Sequence, residues 1–231
     1  MTAKTTRREA LAISIGGAMG LLMASPQARA FGYTTRPELG EPVGRVVDRR
    51  GKVSAKHPAL ERSLHDGNLV FEKDVITTEE GGYLKIALLS GDEVRIGPMA
   101  QVTIQHVVGE FRLPREISFA IEGFGAMRFL PRLEKPAFHP PMRVSIRTPA
   151  GTAAGISPDM WAGWLDRAYM VYLTKGSLDV SSLAGQREMR HAGEAIKLRD
   201  LNALPPKPFL VRDRQLAKME AKIRRPEIRY Y

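Results

Sequence analysis

Three observations predict an all-β fold, an antiparallel β-sandwich or roll with a C-terminal amphipathic helix. From Val43 to Ile104, short β-branched runs alternate with Gly and Asp turns. A second segment, Met142 to Leu201, reads the same way. Near the end, Val211 to Ile223 carries Leu216, Met219 and Ile223 at i, i+3 and i+7 among charged residues, a narrow apolar stripe on a helix.

The clearest hairpin is Tyr83–Leu88 with Glu93–Ile96. Period two places Leu84, Ile86 and Leu88 on a dry face and Tyr83, Lys85 and Ala87 on a wet one. Ser90-Gly91-Asp92 turns the chain, and Val94 and Ile96 return inward. The two β segments also share a pattern. Gly51-Lys52-Val53 followed by His65-Asp66-Gly67-Asn68 is echoed by Gly176-Ser177-Leu178 followed by His191-Ala192-Gly193-Glu194. A shared supersecondary unit and chance recurrence of common turn chemistry both account for that echo.

These signals divide the chain into a β domain over residues 43–204, in segments 43–130 and 142–204, with a connector at 131–141. Pro131, Pro136, Pro140 and Pro141 remove ladder donors there, so the connector is no central strand. The two segments are expected to form one composite unit, because each alone has few strands to bury both faces. The C-terminal helix is expected over 211–223, packed on the sheet, with a tail over 224–231.

Residues 1–30 predict an export signal. Arg7 and Arg8 precede a mild apolar run, Leu11–Ala24, and a small-x-small site at Ala28-Arg29-Ala30. Cleavage is expected after Ala30, leaving a mature chain that starts at Phe31 in the periplasm. The run is shorter than the ~20 apolar residues a spanning helix needs, so an integral membrane protein is not expected. The arginine pair points to the twin-arginine route. The ordinary secretory route stays open, because Ala10 stands where that signal usually has phenylalanine.

The sequence of 231 residues has 35 Lys+Arg against 25 Asp+Glu, a formal charge of +10. Lys4, Arg7, Arg8 and Arg29 against Glu9 account for +3, so the mature chain keeps +7. For an exported chain the available polyanions are lipid headgroups and acidic polysaccharides, not nucleic acid, and a solvated face with no partner is equally consistent with the charge. With no cysteine there is no disulfide, thiol nucleophile or Cys-ligated metal.

No enzyme is expected, and no cofactor or metal. The five histidines, His57, His65, His106, His139 and His191, are scattered, with no ligand spacing between them. Asp66, Asp74 and Asp92 stand at turns, where Asp bonds the backbone. No Gly-x-Ser-x-Gly elbow is present. The unusual local feature is aromatic: Trp161, Trp164, Tyr169 and Tyr172, with Arg147 and Arg167 close in sequence. Arg147, Trp161, Trp164 and Tyr169 are therefore the candidate ligand or partner contacts, since aromatic faces beside cations stack on sugars or anchor proteins. The structural alternative is that both tryptophans cap the core of the second segment.

The run Asp66-Gly67-Asn68-Leu69-Val70, then Asp74-Val75-Ile76-Thr77-Thr78, then Gly82 to Pro98, resembles the FecR family, named for the ferric-citrate regulator. Val43-Gly44-Arg45-Val46, Gly51-Lys52-Val53 and Phe119 to Arg128 extend the likeness, which covers roughly Val43 to Leu198. Val144 to Pro149 resembles the family's strand ending in Thr-Pro. The family's following Gly-x-Arg-Gly-Thr turn is replaced by Gly155-Ile156-Ser157-Pro158-Asp159, without the arginine. A signal peptide stands where membrane-bound members carry an anti-sigma segment, so direct sigma-factor control is not expected. The resemblance implies an envelope-side β domain that acts by binding a protein or peptide, in sensing, regulation or scaffolding. The alternative is a module that binds peptidoglycan or another envelope polysaccharide, resting on the +7 charge and the tryptophans.

Overall fold

In the computed structural model the chain is described over residues 39–110, 113–132 and 141–225. The expected signal peptide (1–30), most of the proline-rich connector (133–140) and the tail from 226 lie outside the described residues.

The chain passes back and forth between two sheets. β1 (Pro42–Arg50) lies in the first sheet, and the hairpin β2 (Val53–His57)–β3 (Leu60–Ser63) in the second. β4 (Leu69–Phe71) returns to the first and β5 (Val75–Thr78) to the second. The hairpin β6 (Tyr83–Leu88)–β7 (Glu93–Ile96) is in the first, β8 (Ala100–Glu110)–β9 (Leu113–Gly123) in the second, and β10 (Ala126–Leu130) in the first. The second segment continues with β11 (Arg143–Thr148)–β12 (Gly151–Ile156) in the second sheet and β13 (Asp159–Leu165)–β14 (Ala168–Lys175) in the first. β15 (Leu178–Ser182)–β16 (Gly185–Met189) is in the second, and β17 (Glu194–Leu198) and β18 (Phe209–Leu210) are in the first.

Among the described residues each sheet has nine strands, ordered β18-β17-β14-β13-β10-β7-β6-β1-β4 and β16-β15-β12-β11-β9-β8-β5-β2-β3. This bears out the all-β sandwich with a C-terminal helix. Both sheets run without a break across residues 133–140: β10 pairs with β13, and β9 with β11. The β9–β11 pair is parallel, Ile117 opposite Val144 and Phe119 opposite Ile146. The chain leaves the second sheet after β9, crosses the first as β10, and re-enters alongside, which is the crossover that a parallel neighbour requires.

The interior between the sheets is aliphatic. Leu84, Ile86, Ile96, Ile104, Phe119 and Phe129 are all essentially inaccessible. Each such side chain stabilises by about 1.5–3 kcal/mol relative to exposure. The β6–β7 hairpin has the expected inward set, with Gly91 at φ +85 and its N–H donating to the Leu88 carbonyl at 2.9 Å. Tyr83, expected on the wet face, is buried. The segment after the helix returns over that face, where Arg225 pairs with Asp48 at 3.1 Å, and burial raises the Tyr83 phenol above its ordinary pKa.

The sequence echo corresponds to one supersecondary unit built twice. In the first copy β1 crosses at Gly51 to the β2–β3 hairpin, then returns at Gly67 as β4 to pair with β1. In the second, β14 crosses at Gly176 to β15–β16 and returns at Gly193 as β17 to pair with β14. All four glycines have positive φ, from +63 to +95, which favours glycine. Gly67 N–H donates to the Val46 carbonyl at 2.9 Å, and Gly193 N–H to the Leu173 carbonyl at 2.8 Å. The copies occupy opposite ends of the strand order.

The helix α1 (Asp213–Ile223) begins two residues after the position expected. Val211 N–H still donates to the Gly193 carbonyl at 2.9 Å, and Arg212 is extended, so the chain leaves the sheet only there. Met219 and Ile223 are buried against Ala126, Trp161, Leu165, Met170 and Ala195, on the outer face of the first sheet.

Candidate functional site

Alternation along β13 separates the two tryptophans. Trp161 faces outward and is covered by α1, leaving 2% of its surface exposed. Trp164, an odd number of residues away, turns to the opposite face and packs partly against the inter-sheet core. Tyr169 lies directly opposite Trp164 on β14, and their rings meet edge to face at 5.2 Å. Tyr169 is buried, and its hydroxyl donates to the Gly123 carbonyl at 2.7 Å. Arg147 is exposed on β11, in the second sheet. Of the four candidates, Trp164 and Tyr169 come together, while Trp161 and Arg147 belong to different faces.

Beneath α1, Trp161 adjoins a two-pronged ion pair. Arg128 Nε and Nη2 each donate to a different oxygen of Asp159 at 2.8 Å. That bond outweighs the opposing effect of burial and raises the Arg128 pKa further, keeping the guanidinium charged. Trp161 Nε1 and Thr174 Oγ1 are buried with no partner among the described residues. A pocket of about 10 Å³ lies there, enclosed by α1, so this layer joins helix to sheet and offers no open ligand site.

The open surface is one strand further on. Phe124, between Gly123 and Gly125, is 62% exposed and meets Trp164 edge to face at 5.5 Å. Met99, 55% exposed, holds φ +54, a left-handed conformation that is unusual for a residue with a long side chain. Phe124, Met99, Glu79, Glu80 and Glu122 line a groove of about 500 Å³ at the end of the sandwich. Glu79 pairs with Lys52 at 2.7 Å and Glu122 accepts from Gln101 at 2.9 Å, whereas exposed Glu80 has no partner among the described residues. The groove is thus lined by exposed apolar side chains and carboxylates together. The β13–β14 turn beside it has Asp166 and Arg167 both at positive φ, as primed hairpin turns require. It is fixed by Lys218, whose Nζ bonds Asp166 at 2.8 Å and holds that carboxyl below its ordinary pKa. Sequence reasoning missed Phe124 as a contact, although a phenylalanine flanked by two glycines at a turn has few neighbours to bury it.

The other residues weighed for chemistry lie apart. Asp74 is buried, receiving Arg62 on both oxygens and the Phe71 N–H at 2.8 Å. Asp92 is buried beneath the β6–β7 turn, receiving Ser90 Oγ at 2.7 Å and the Arg132 N–H at 2.8 Å. Asp66 is exposed. Among the described histidines, His57 is buried near the Ala59 N–H, His65 meets Arg49, His106 lies 3.8 Å from Glu72, and His191 meets Glu194. Among the described residues no three His, Asp or Glu side chains gather as a metal site, and no helix is long and apolar enough to cross a membrane.

No protein-family model matches the chain, and no curated protein matches it in sequence. Two crystal structures of a candidate anti-sigma factor from Parabacteroides distasonis ATCC 8503, at 1.65 Å and 2.50 Å, are similar to it at a TM-score of 0.46 and 12% identity. The match covers 61% of this chain and 61% of theirs, and a likeness this distant assigns neither family nor activity.

Proposed function

We propose that this chain is an exported, non-enzymatic binding module of the FecR type, acting in the periplasm on a protein or peptide partner. Its role would be sensing, regulation or scaffolding. The observation that carries the reading is the Phe124 groove: an exposed aromatic ring braced by Trp164, with the carboxylates of Glu79, Glu80 and Glu122 in the same lining. Aromatic anchors in preformed surfaces dominate protein recognition energetics. These carboxylates favour a cationic partner segment through charge complementarity. The leader features of residues 1–30 support export, with cleavage after Ala30, and the residues quoted from Val43 to Leu198 support the family.

The polymer-binding alternative is weakened by the placement of Trp161 under α1. A sugar platform needs an open ring face, and Trp164 is half-buried and packed edge to face with both Phe124 and Tyr169.

The test is crosslinking in the cell. A photoreactive phenylalanine analogue in place of Phe124 is expected to capture one dominant envelope protein. The same probe in place of exposed Arg147, on the other sheet, is expected to capture none. Equal capture at both positions, or capture at neither, would overturn the assignment of the groove. N-terminal sequencing of the same sample reads the cleavage site directly.

A further inference from the structure

The end of the sandwich that holds the Phe124 groove carries a second apolar surface at its far corner, with charge of the opposite sign. Leu198, the last residue of β17, pairs with Tyr169, whose hydroxyl meets Gly123, so both surfaces lie at the same end. The β15–β16 turn and the loop after β17 are tied together there. Leu183 N–H donates to the Leu201 carbonyl at 2.9 Å, and Arg187 Nε to the Pro205 carbonyl at 3.3 Å. Leu204 lies so close to Gly185 that a Cβ on that glycine would meet it at 2.8 Å.

The tie holds three leucines outward: Leu183 is 74% exposed, Leu204 46% and Leu201 38%. Beside them a cavity of about 390 Å³ opens between the end of β17 and the loop, with Lys197, Arg199 and Lys207 in its lining. That volume falls within the range of small-ligand sites. None of these cations forms an ion pair among the described residues. The one lining acid, Asp200, accepts from the Asn202 N–H at 2.9 Å and Asn202 Nδ2 at 3.3 Å.

We propose that this corner docks on anionic phospholipid. Leucines projecting from two adjoining loops, beside cations that no described acid pairs, match a bilayer surface in both of its chemistries. The alkyl tips enter the acyl boundary, and the cations meet the phosphates. A protein partner of the usual kind is less well matched, since its hot spots favour aromatic anchors and Arg, and leucine is under-represented among them. The acids of the Phe124 groove lie at a distance: the nearest, Glu122, is at the end of β9, three strand positions or about 14 Å from β15. Glu79 and Glu80 follow β5 and precede β6, and β6 lies five strand positions from β17. At ~4.8 Å per strand that is about 24 Å, beyond the ~8–10 Å over which charge acts at ordinary ionic strength. The docking is independent of what Phe124 contacts.

The test is cosedimentation of the purified full chain with vesicles of phosphatidylglycerol and phosphatidylcholine, against pure phosphatidylcholine. Binding is expected only to the anionic vesicles and should weaken with salt. The pair Leu183→Glu with Leu204→Glu should lower it at least tenfold at an unchanged melting temperature. Each cation contributes about fivefold near such a surface, so Arg199→Glu with Lys207→Glu should do at least as much. Phe124→Ala should leave vesicle binding intact, which separates this surface from the partner groove. Equal binding to neutral vesicles, no binding, or binding that survives both double substitutions would overturn the proposal. So would retention by an acidic polysaccharide without retention by vesicles.

Discussion

The backbone carbonyl of Lys222 occupies the space that a Cβ on Gly97 would need. Gly97 follows β7, and its own N–H donates to the Ala126 carbonyl at 2.9 Å, so it cannot retreat without breaking a bond to β10. The last turn of α1 is therefore seated on a glycine. Gly97→Ala should push that turn away and expose Met219 and Ile223. Overpacking of this kind costs about 1–3 kcal/mol, and α1 is too short to persist alone in water. Hydrogen exchange across 213–223 should quicken in the variant, and Trp161 fluorescence should shift toward that of a hydrated indole. Unchanged protection of α1 would show that the helix can shift to accommodate the methyl group.

Arg62 and Asp74 make a different kind of joint. Arg62 Nη1 and Nη2 reach Asp74 Oδ1 and Oδ2 at 3.0 and 2.5 Å, and the guanidinium lies 5.3 Å from the centre of the Phe71 ring. Asp74 is fully buried, whereas Arg62 is partly solvated. Removing one partner of a buried pair leaves a charge uncompensated, at a cost of about 3–5 kcal/mol. Asp74→Ala should pay the larger part, because the Phe71 N–H also loses its acceptor. The double substitution Arg62→Leu with Asp74→Ala should cost less than the sum of the two singles, read from urea denaturation. Additive costs would mean the pair contributes nothing as a pair.

Much of this architecture was legible in local sequence. The β6–β7 hairpin follows from period two and one glycine turn, and the repeated unit from Gly51, Gly67, Gly176 and Gly193. The helix stripe identified Met219 and Ile223 as the docking face. What alternation carries within one strand, it does not carry between strands. Trp161, Trp164 and Arg147 are near in sequence, yet the odd spacing of the tryptophans sends them to opposite faces, and Arg147 enters the other sheet. The parity was visible, but treating a dozen residues as one cluster overrode it. Tyr83 was misplaced for another reason: the cover over its face comes from residues some 140 positions later, and periodicity reports on a strand, not on what lies above it. The parallel β9–β11 pair was beyond the same limit.

Lys222 gives a pH signature for helix docking. Its Nζ donates to the Phe124 carbonyl at 2.9 Å, and burial lowers its pKa below the ordinary lysine value. A lysine whose folded pKa is depressed resists charging in the folded state. Its penalty is therefore present below the folded pKa and relieved as pH rises through that value toward the unfolded one, about 10.4. Protection of α1, corrected for intrinsic exchange, should rise on the alkaline side in the wild type. Lys222→Met, which keeps the stem without the charge, should flatten that rise. A rise of equal size in the variant would assign it to another group.

The two copies of the repeated unit make the last prediction, since only in the second does a carboxylate accept the N–H of the turn histidine. Asn68 Oδ1 accepts the His65 N–H at 2.9 Å, and in the second copy Glu194 Oε2 accepts the His191 N–H at 3.0 Å. The His191 N–H, the His191 ring and the Arg190 N–H together hold the Glu194 carboxyl below its ordinary range, against the opposing effect of burial. A carboxylate with a depressed folded pKa contributes stability above its unfolded value, about 4.3, and loses it as pH falls through the folded one. Melting temperatures measured between pH 7 and pH 3 should therefore fall less steeply for Glu194→Gln than for the wild type. Asn68→Asp places the same chemistry in the first copy and should steepen the fall. If Glu194→Gln keeps the wild-type slope, the acid sensitivity of the fold lies elsewhere, and the turn at Gly193 is held by its backbone bonds to Leu173 and Val211.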